Sequence, residues 1–442
     1  MGSDRSDAQD LGVELEIGGL AAGGRGVARQ DGRVWLVAGG LPGQRVLARA
    51  RRIHPRWVEG EVERVLAPSP QERPAPCPFH AGCGGCAWMQ LPEEAQRAWK
   101  RQLVRDALAR LAHLPDVPVE EPVASPASLG YRNKIELSFG RGILGYHPPG
   151  DARAVVDVAA CLLADDAMNH VVALARAFFL DGPGAADVPD EMRLVVRRSR
   201  SEGRILAAFR GGAGPFPSAR PFAEQLTREV PEVAGVVRLV ADPGRRGGTR
   251  VEALAGRTFL RETLGGITFE VPAASFFQVN PEGAELLLQE VLAACGDAQN
   301  RTVLELYGGM GVFALALARA GARVTVLEAD REAVTAGLRA AASSALDARF
   351  LRGDVLRSLQ EHRDLPANLV LADPPRSGLG PGVAAEIAAR RPERIVLVSC
   401  DPGTLARDLG ALHGRGYAVE RVVPVDLFPQ TPHVETVTAL RR

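Results

Sequence analysis

Leu304-Glu305-Leu306-Tyr307-Gly308-Gly309-Met310-Gly311-Val312-Phe313 delivers a short apolar run into a glycine turn, with helix-forming sequence behind it. Strand, tight turn and helix in that order make a βα unit of a parallel sheet, and the glycines let backbone approach a ligand closely. The flanking sequence repeats the pattern. Residues 282 to 295 read as a helix with Leu286, Leu287, Val291 and Cys295 facing inward. Strands are expected from Val303 to Tyr307, Arg323 to Leu327, Leu369 to Ala372, Arg394 to Ser399, Val419 to Val425 and His433 to Leu440. The last two suit a terminal antiparallel pair, and a further short strand fits before Gly353. Alternating strands and helices of this kind predict a doubly wound, Rossmann-like parallel sheet over residues 281–442.

At 442 residues the chain is too long for one ordinary core, which predicts two to four domains. A 46% apolar and 24% charged composition is that of a globular protein, with no apolar run long enough to span a bilayer. The opening MGSDRSDAQD is polar, with no secretory apolar segment after it, so a cytoplasmic location is expected. Its 53 basic and 53 acidic residues cancel, so any polyanion partner must be recognised by local charge. Only Lys100 and Lys134 are lysines. A general replacement of lysine by arginine accounts for that as well as any function does.

Residues 9–68 alternate apolar and polar positions between glycine turns, the pattern of a small OB-like β-barrel. From Arg45 to Val58 there are five arginines, His54 and Trp57, and no acid. Such a stripe suits a phosphate backbone with an aromatic for stacking, and equally a solvated strand face. Prolines at 68, 70, 74 and 76 then mark a linker. Cys77, Cys83 and Cys86 follow in a C-x5-C-x2-C cluster, and Cys161 is a candidate fourth thiolate. Spacing alone admits zinc or an iron-sulfur cluster. His80 reads as a bystander. An amphipathic helix with a basic outer face (Arg97, Lys100, Arg101, Arg105, Arg110) is expected between residues 92 and 114. Mixed α+β sequence then runs to residue 280, with strands near 134–139, 192–197, 205–209, 236–240 and 268–271 and helices near 163–180 and 220–229.

Polar groups collect at the ends of the C-terminal strands. Glu328 ends the second, where a carboxylate can hold a ribose diol; Asp354 follows the third, and Asp373-Pro374-Pro375-Arg376 ends the fourth. Glycines alone would also suit a dinucleotide dehydrogenase, but the next strand ends in Cys400 and the last carries Glu435. A thiol and a carboxylate beside a nucleoside pocket fit one chemistry. Pyrimidine C5 is a poor nucleophile until a thiolate adds at C6, and a base must afterwards remove the C5 proton.

These motifs resemble the RNA uridine-5 methyltransferase family, in particular its 23S rRNA-modifying members with a TRAM domain and an iron-sulfur cluster. Seven stretches carry the resemblance: Gly23 to Arg29, the cysteine set, Ser275-Phe276-Phe277-Gln278-Val279-Asn280, the glycine turn, Asp373 to Gly378, Val398 to Leu409, and Phe428 to Val437. It implies Cys400 as nucleophile and Glu435 as proton acceptor. It implies Gln278, Tyr307, Glu328 and Asp373 at S-adenosylmethionine, with Asp354 on the adenine side, and Cys77, Cys83, Cys86 and Cys161 as ligands of a 4Fe-4S cluster. Three parts are expected: a TRAM barrel over 9–68, an iron-sulfur segment and central RNA-binding domain over 69–280, and a class I methyltransferase domain over 281–442. The implied substrate is 23S rRNA, modified by a monomer without membrane attachment, with tRNA as the alternative. RNA cytosine-5 methylation and a non-catalytic RNA-binding assembly factor are weaker alternatives: the first class carries a second cysteine that the Asp373–Arg376 turn lacks, and the second has no use for Cys400 with Glu435. Two departures from the family pattern stand out, Val312 in place of a polar residue and Asp401 in place of asparagine.

Overall fold

The computed structural model describes residues 12–242 and 248–442; the opening decapeptide and the first residues of the expected barrel lie outside them. Seven strands form the C-terminal sheet in the order Ala348–Arg352, Arg323–Glu328, Thr302–Leu306, Leu369–Ala372, Arg394–Ser399, Glu435–Arg441, Ala418–Val425. The first five run parallel, and Glu435–Arg441 runs antiparallel to both its neighbours. Each expected strand of this sheet is present within about two residues of its place, the usual scatter of strand ends. Strand order reverses on either side of Thr302–Leu306. The loops leaving its carboxyl end and that of Leu369–Ala372 diverge there, and a crevice opens at the switch point.

Both faces of the sheet are covered, which is why its strands read as continuous apolar runs. Helices Pro281–Cys295, Val312–Arg319 and Arg331–Ser343 bury Leu287, Val291, Leu315 and Ala336 with Val326, Leu371 and Val398. On the other face Val104 of helix Glu93–Ala107 joins Leu304, Ile395, Leu397 and Leu409. That helix lies far away in sequence, and the chain after it bridges to the edge strand at Val119↔Val422 and Val123↔Val425. The inward placement of the helix corrects one expectation. Lys100 does not belong to a basic outer face: it is fully buried and donates to Asp426 Oδ1 at 2.5 Å.

The central part is a second seven-stranded sheet, ordered Thr249–Gly256, Val233–Ala241, Ile205–Gly211, Arg193–Arg198, Lys134–Gly140, Ile143–Tyr146, Val156–Asp157. Helices Asp166–Phe179 and Ala219–Glu229 pack on it through clustered phenylalanines, among them Phe178, Phe179, Phe209 and Phe222. A hairpin, Phe259–Leu264 with Ile267–Pro272, carries the chain to the C-terminal sheet.

At the N-terminal end six strands, Val13–Glu16, Arg45–Ile53, Trp57–Ala67, Arg33–Ala38, Gly26–Gln30 and Gly19–Leu20, form one sheet around Leu15, Ile17, Trp35, Val37, Val46 and Val58. Two of the five arginines of the basic stripe are answered by its hairpin partner. Arg49 pairs with Glu63 at 3.1 Å, Arg51 with Glu61, and His54 stacks on Trp57 with ring centroids 3.8 Å apart. A stripe read along one strand omits the acids that cross-strand pairing sets opposite it. Among the described residues Arg45, Arg52 and Arg56 keep no ion pair.

Candidate active site

A cleft of about 740 Å³ opens at the carboxyl edge of the C-terminal sheet. Gln278, Tyr307, Glu328, Asp373, Cys400 and Glu435 all line it. Asp354 does not; its carboxylate caps helix Val355–Glu361, accepting from the Arg357 N–H at 3.0 Å.

Local structure explains how each residue gets there. Tyr307 leaves strand Thr302–Leu306 in the left-handed region, at φ 58°, and its hydroxyl donates to the Leu379 carbonyl. Gly311, at φ 75°, starts helix Val312–Arg319 where a Cβ would lie 2.8 Å from the Phe350 ring, so the turn requires glycine. Glu328 accepts from the Gly309 N–H at 2.9 Å and the Asp330 N–H at 2.7 Å, which ties two strand ends together and fixes the carboxylate. Gln278 is brought in by its neighbours. Asn280 caps helix Pro281–Cys295 and donates to the Leu427 carbonyl at 2.9 Å, while Asn133 donates to the Gln278 carbonyl at 3.3 Å.

Cys400 follows strand Arg394–Ser399, and the next residue, Asp401, caps helix Pro402–His413 by accepting from the Thr404 N–H at 2.8 Å. Asparagine serves that position equally well, so the departure at 401 preserves the cap. Val312 lines the cleft with an apolar side chain.

The electrostatics of the cleft favour proton-bearing acids. Burial raises the Cys400 thiol to about 11, with Glu435 and Asp373 adding to the rise and Arg376 opposing it. Burial likewise pushes Asp373 up to about 7 and holds Glu435 well above the ordinary carboxyl range, where Asp373 reinforces it. A cation bound here would draw all three toward their ionised forms.

Several lining residues went unassigned in the sequence. Phe276 is 74% exposed at the cleft while Phe277 beside it is buried, a distinction that adjacent identical letters do not carry. Glu305, 1% exposed, accepts from the Ala314 N–H at 3.0 Å through one oxygen, and its other oxygen has no hydrogen-bond partner among the described residues. Arg132 and His433 complete this part of the wall.

A family model described as tRNA (Uracil-5-)-methyltransferase matches residues 256–442. An uncharacterized RNA methyltransferase of Nitratidesulfovibrio vulgaris is 36% identical over 98% of this chain and 96% of its own length. One from Gloeobacter violaceus is 35% identical over 97% and 96%. The chain belongs to the RNA (uracil-5-)-methyltransferase family. A solved Pyrococcus abyssi tRNA (uracil-54, C5)-methyltransferase, in complex with S-adenosyl-L-homocysteine, has the same fold. It aligns with a TM-score of 0.75 at 24% identity, over 97% of this chain and all of that one.

This RNA methyltransferase has a second, smaller cavity of about 50 Å³, walled by Cys77, Cys83, Cys86 and Cys161. The four expected thiols thus converge from two distant stretches of sequence, with His80 alongside them but tied to Gln90 at 3.1 Å. Burial raises Cys83, and Cys86 to about 12, and the neighbouring thiols add to both shifts. Among the described residues no group of three or more His, Cys, Asp or Glu is arranged to hold a metal ion. Among those residues, too, no helix is long and apolar enough to cross a membrane.

Proposed function

We propose that this methyltransferase transfers a methyl group from S-adenosylmethionine to uridine C5 in structured RNA, through a covalent bond between Cys400 and C6. The observation that carries this reading is the convergence of Cys400, Glu435 and Asp373 in one cleft with the glycine turn and Glu328. S-adenosylmethionine would supply an electrophilic methyl group as a sulfonium cation. Gln278, Tyr307, Glu328 and Asp373 are the residues to hold it, with Asp354 outside the cleft wall as an adenine-side contact.

The Cys400 thiolate adds to C6, forming the S–C6 bond and moving the ring electron pair toward C5 and O4. C5 then takes the methyl group, whose bond to the donor sulfonium would break with its electron pair left on a neutral thioether sulfur. The Glu435 carboxylate removes the C5 proton, C5=C6 re-forms, and the S–C6 bond breaks to return the thiolate. A uridine reaches a sheet-edge cleft only after leaving its stack, which favours loops and single strands, and exposed Phe276 offers it a ring.

For the RNA we favour 23S rRNA. The N-terminal sheet, read as a TRAM barrel, and the four convergent cysteines support this choice, with the central sheet as a further RNA-binding surface. The names of the family model and of the solved relative favour tRNA. We further assign the cysteines to a 4Fe-4S cluster, whose thiolates each bind a different iron and so surround a cavity, and the protein to the cytoplasm as a monomer. Mapping 5-methyluridine in ribosomal and transfer RNA from a deletion strain tests the substrate: a mark lost from 23S rRNA alone supports the first reading, and one lost from tRNA alone replaces it. Loss of no 5-methyluridine overturns the activity.

A further inference from the structure

Strand Glu435–Arg441 is entered through residues 426–434, a loop with little secondary structure and a difficult conformation. Gln430 sits at φ 71°, a left-handed value that a non-glycine residue holds only when its surroundings enforce it. Helix Glu93–Ala107 and the segment after Cys86 supply that enforcement. Gln96, fully buried, accepts from the Gln430 backbone N–H at 2.7 Å and donates to its side-chain oxygen at 2.9 Å. The Trp88 N–H donates to the Gln430 carbonyl at 3.0 Å, and the Tyr131 hydroxyl to the Pro429 carbonyl at 3.1 Å. Lys100 donates both to Asp426 Oδ1 at 2.5 Å and to the Phe428 carbonyl at 2.9 Å.

Lys100 is also one of only two lysines in a chain that otherwise uses arginine. Its slot is closed to solvent on every side, as is that of Asp426, 2% exposed. A compact ammonium with rotatable donors can serve a carboxylate and a carbonyl in so small a space, whereas a planar guanidinium fork needs more room. Composition bias therefore stops where geometry forbids it.

We infer that Lys100 and Gln96 are positioning residues: they fix the loop 426–434 and so set where Glu435 enters the cleft. Neither lines the cleft, so both act through the loop. The inference rests on the role proposed for Glu435, and a misplacement of even about 1 Å in a proton acceptor costs on the order of 10²-fold in its step.

Stepwise kinetics with unmodified uridine RNA test this. Lys100→Met is expected to form the Cys400 adduct within about threefold of the wild-type rate, yet to resolve it about 10²-fold more slowly, so that methylated covalent RNA accumulates. Lys100→Met/Asp426→Leu leaves no charge buried and unpaired. Positioning predicts that this double variant regains the wild-type melting temperature while resolution stays slow; recovery of stability and rate together assigns the pair a purely structural role and overturns the inference. Lys100→Arg, which keeps the charge, is expected to resolve slowly as well, and a wild-type rate there would sink the geometric argument. Glu435→Gln is run in parallel. If it fails to accumulate adduct, the role of Glu435 falls; if it accumulates adduct and the Lys100 variants do not, only the positioning falls.

Discussion

Cys400 and Glu435 are the residues immediately beyond the Ser399–Thr436 pair on two adjacent antiparallel strands. A single register therefore delivers both groups to the same end of the ladder. The Glu435 carboxylate lies near enough to raise the Cys400 thiol. A slip of one residue in the last strand would turn Glu435 to the other face and separate the pair.

Cys400→Ala is expected to abolish the covalent complex with 5-fluorouridine RNA and to lower turnover by at least about 10³-fold. The half-buried site tolerates a smaller side chain, so the fold should persist. Denaturing gel electrophoresis of the RNA-protein mixture reads the result; a full yield of adduct in the variant would show that another group is the nucleophile.

Glu435→Gln keeps the shape of the side chain and removes its proton-accepting charge. Methylation of C5 should proceed, and release should slow by about 10²- to 10⁴-fold, the range associated with general bases. Mass spectrometry of the trapped species should find the methyl group on the bound uridine.

The pH dependence of stability carries a sign that Asp373 sets. Burial raises its folded pKa to about 7 from an ordinary value of 3.8, so the folded state holds a proton that the unfolded state has lost between those limits. Stability from this group is fully present below the ordinary value and is lost as pH rises through about 7. Asp373→Asn carries no such charge. Its melting temperature relative to wild type should climb between pH 4 and pH 8, by an amount equivalent to on the order of 2–4 kcal/mol, even as activity falls. A pH-independent difference would refute the assignment.

The C-terminal sheet was legible because a strand buried on both faces is written as an unbroken apolar run, and because glycine, Glu328, Asp373 and Cys400 recur at successive strand ends. Lys100 was not legible. Helical spacing places it among arginines, and only packing against Asp426, from a segment more than three hundred residues away, makes it interior. In the first sheet the partners of Arg49 and Arg51 are hidden for the same reason, since Glu63 and Glu61 lie on another strand, while Arg45, Arg52 and Arg56 keep no ion pair among the described residues. The cysteine spacing identified three thiols and suggested the fourth, but their convergence on one cavity belongs to the fold.

Phe276 should matter to RNA and not to folding. Its ring is 74% exposed, so Phe276→Ala is expected to shift stability by less than about 0.5 kcal/mol. Loss of a stacking surface for a flipped base should weaken RNA binding by about 1–3 kcal/mol, roughly five- to 150-fold in KM, with little change in kcat at saturation. An unchanged KM would place the target base elsewhere in the cleft.

Cys161→Ser tests the second cavity from its distant member. Cys77, Cys83 and Cys86 lie within ten residues of one another, whereas Cys161 reaches the cavity from beyond the first strands of the central sheet. If a cluster joins them, its bonds staple the two segments together, and anaerobically purified wild type should carry about four irons per chain with a visible absorption band. The serine variant should lose most of that iron and melt at lower temperature, because the metal-thiolate bonds that tie the two segments together are lost with it. It should still form the 5-fluorouridine adduct when folded, since Cys400 belongs to the other cavity. One zinc per chain in the wild type, with no iron, would replace the cluster by a single ion.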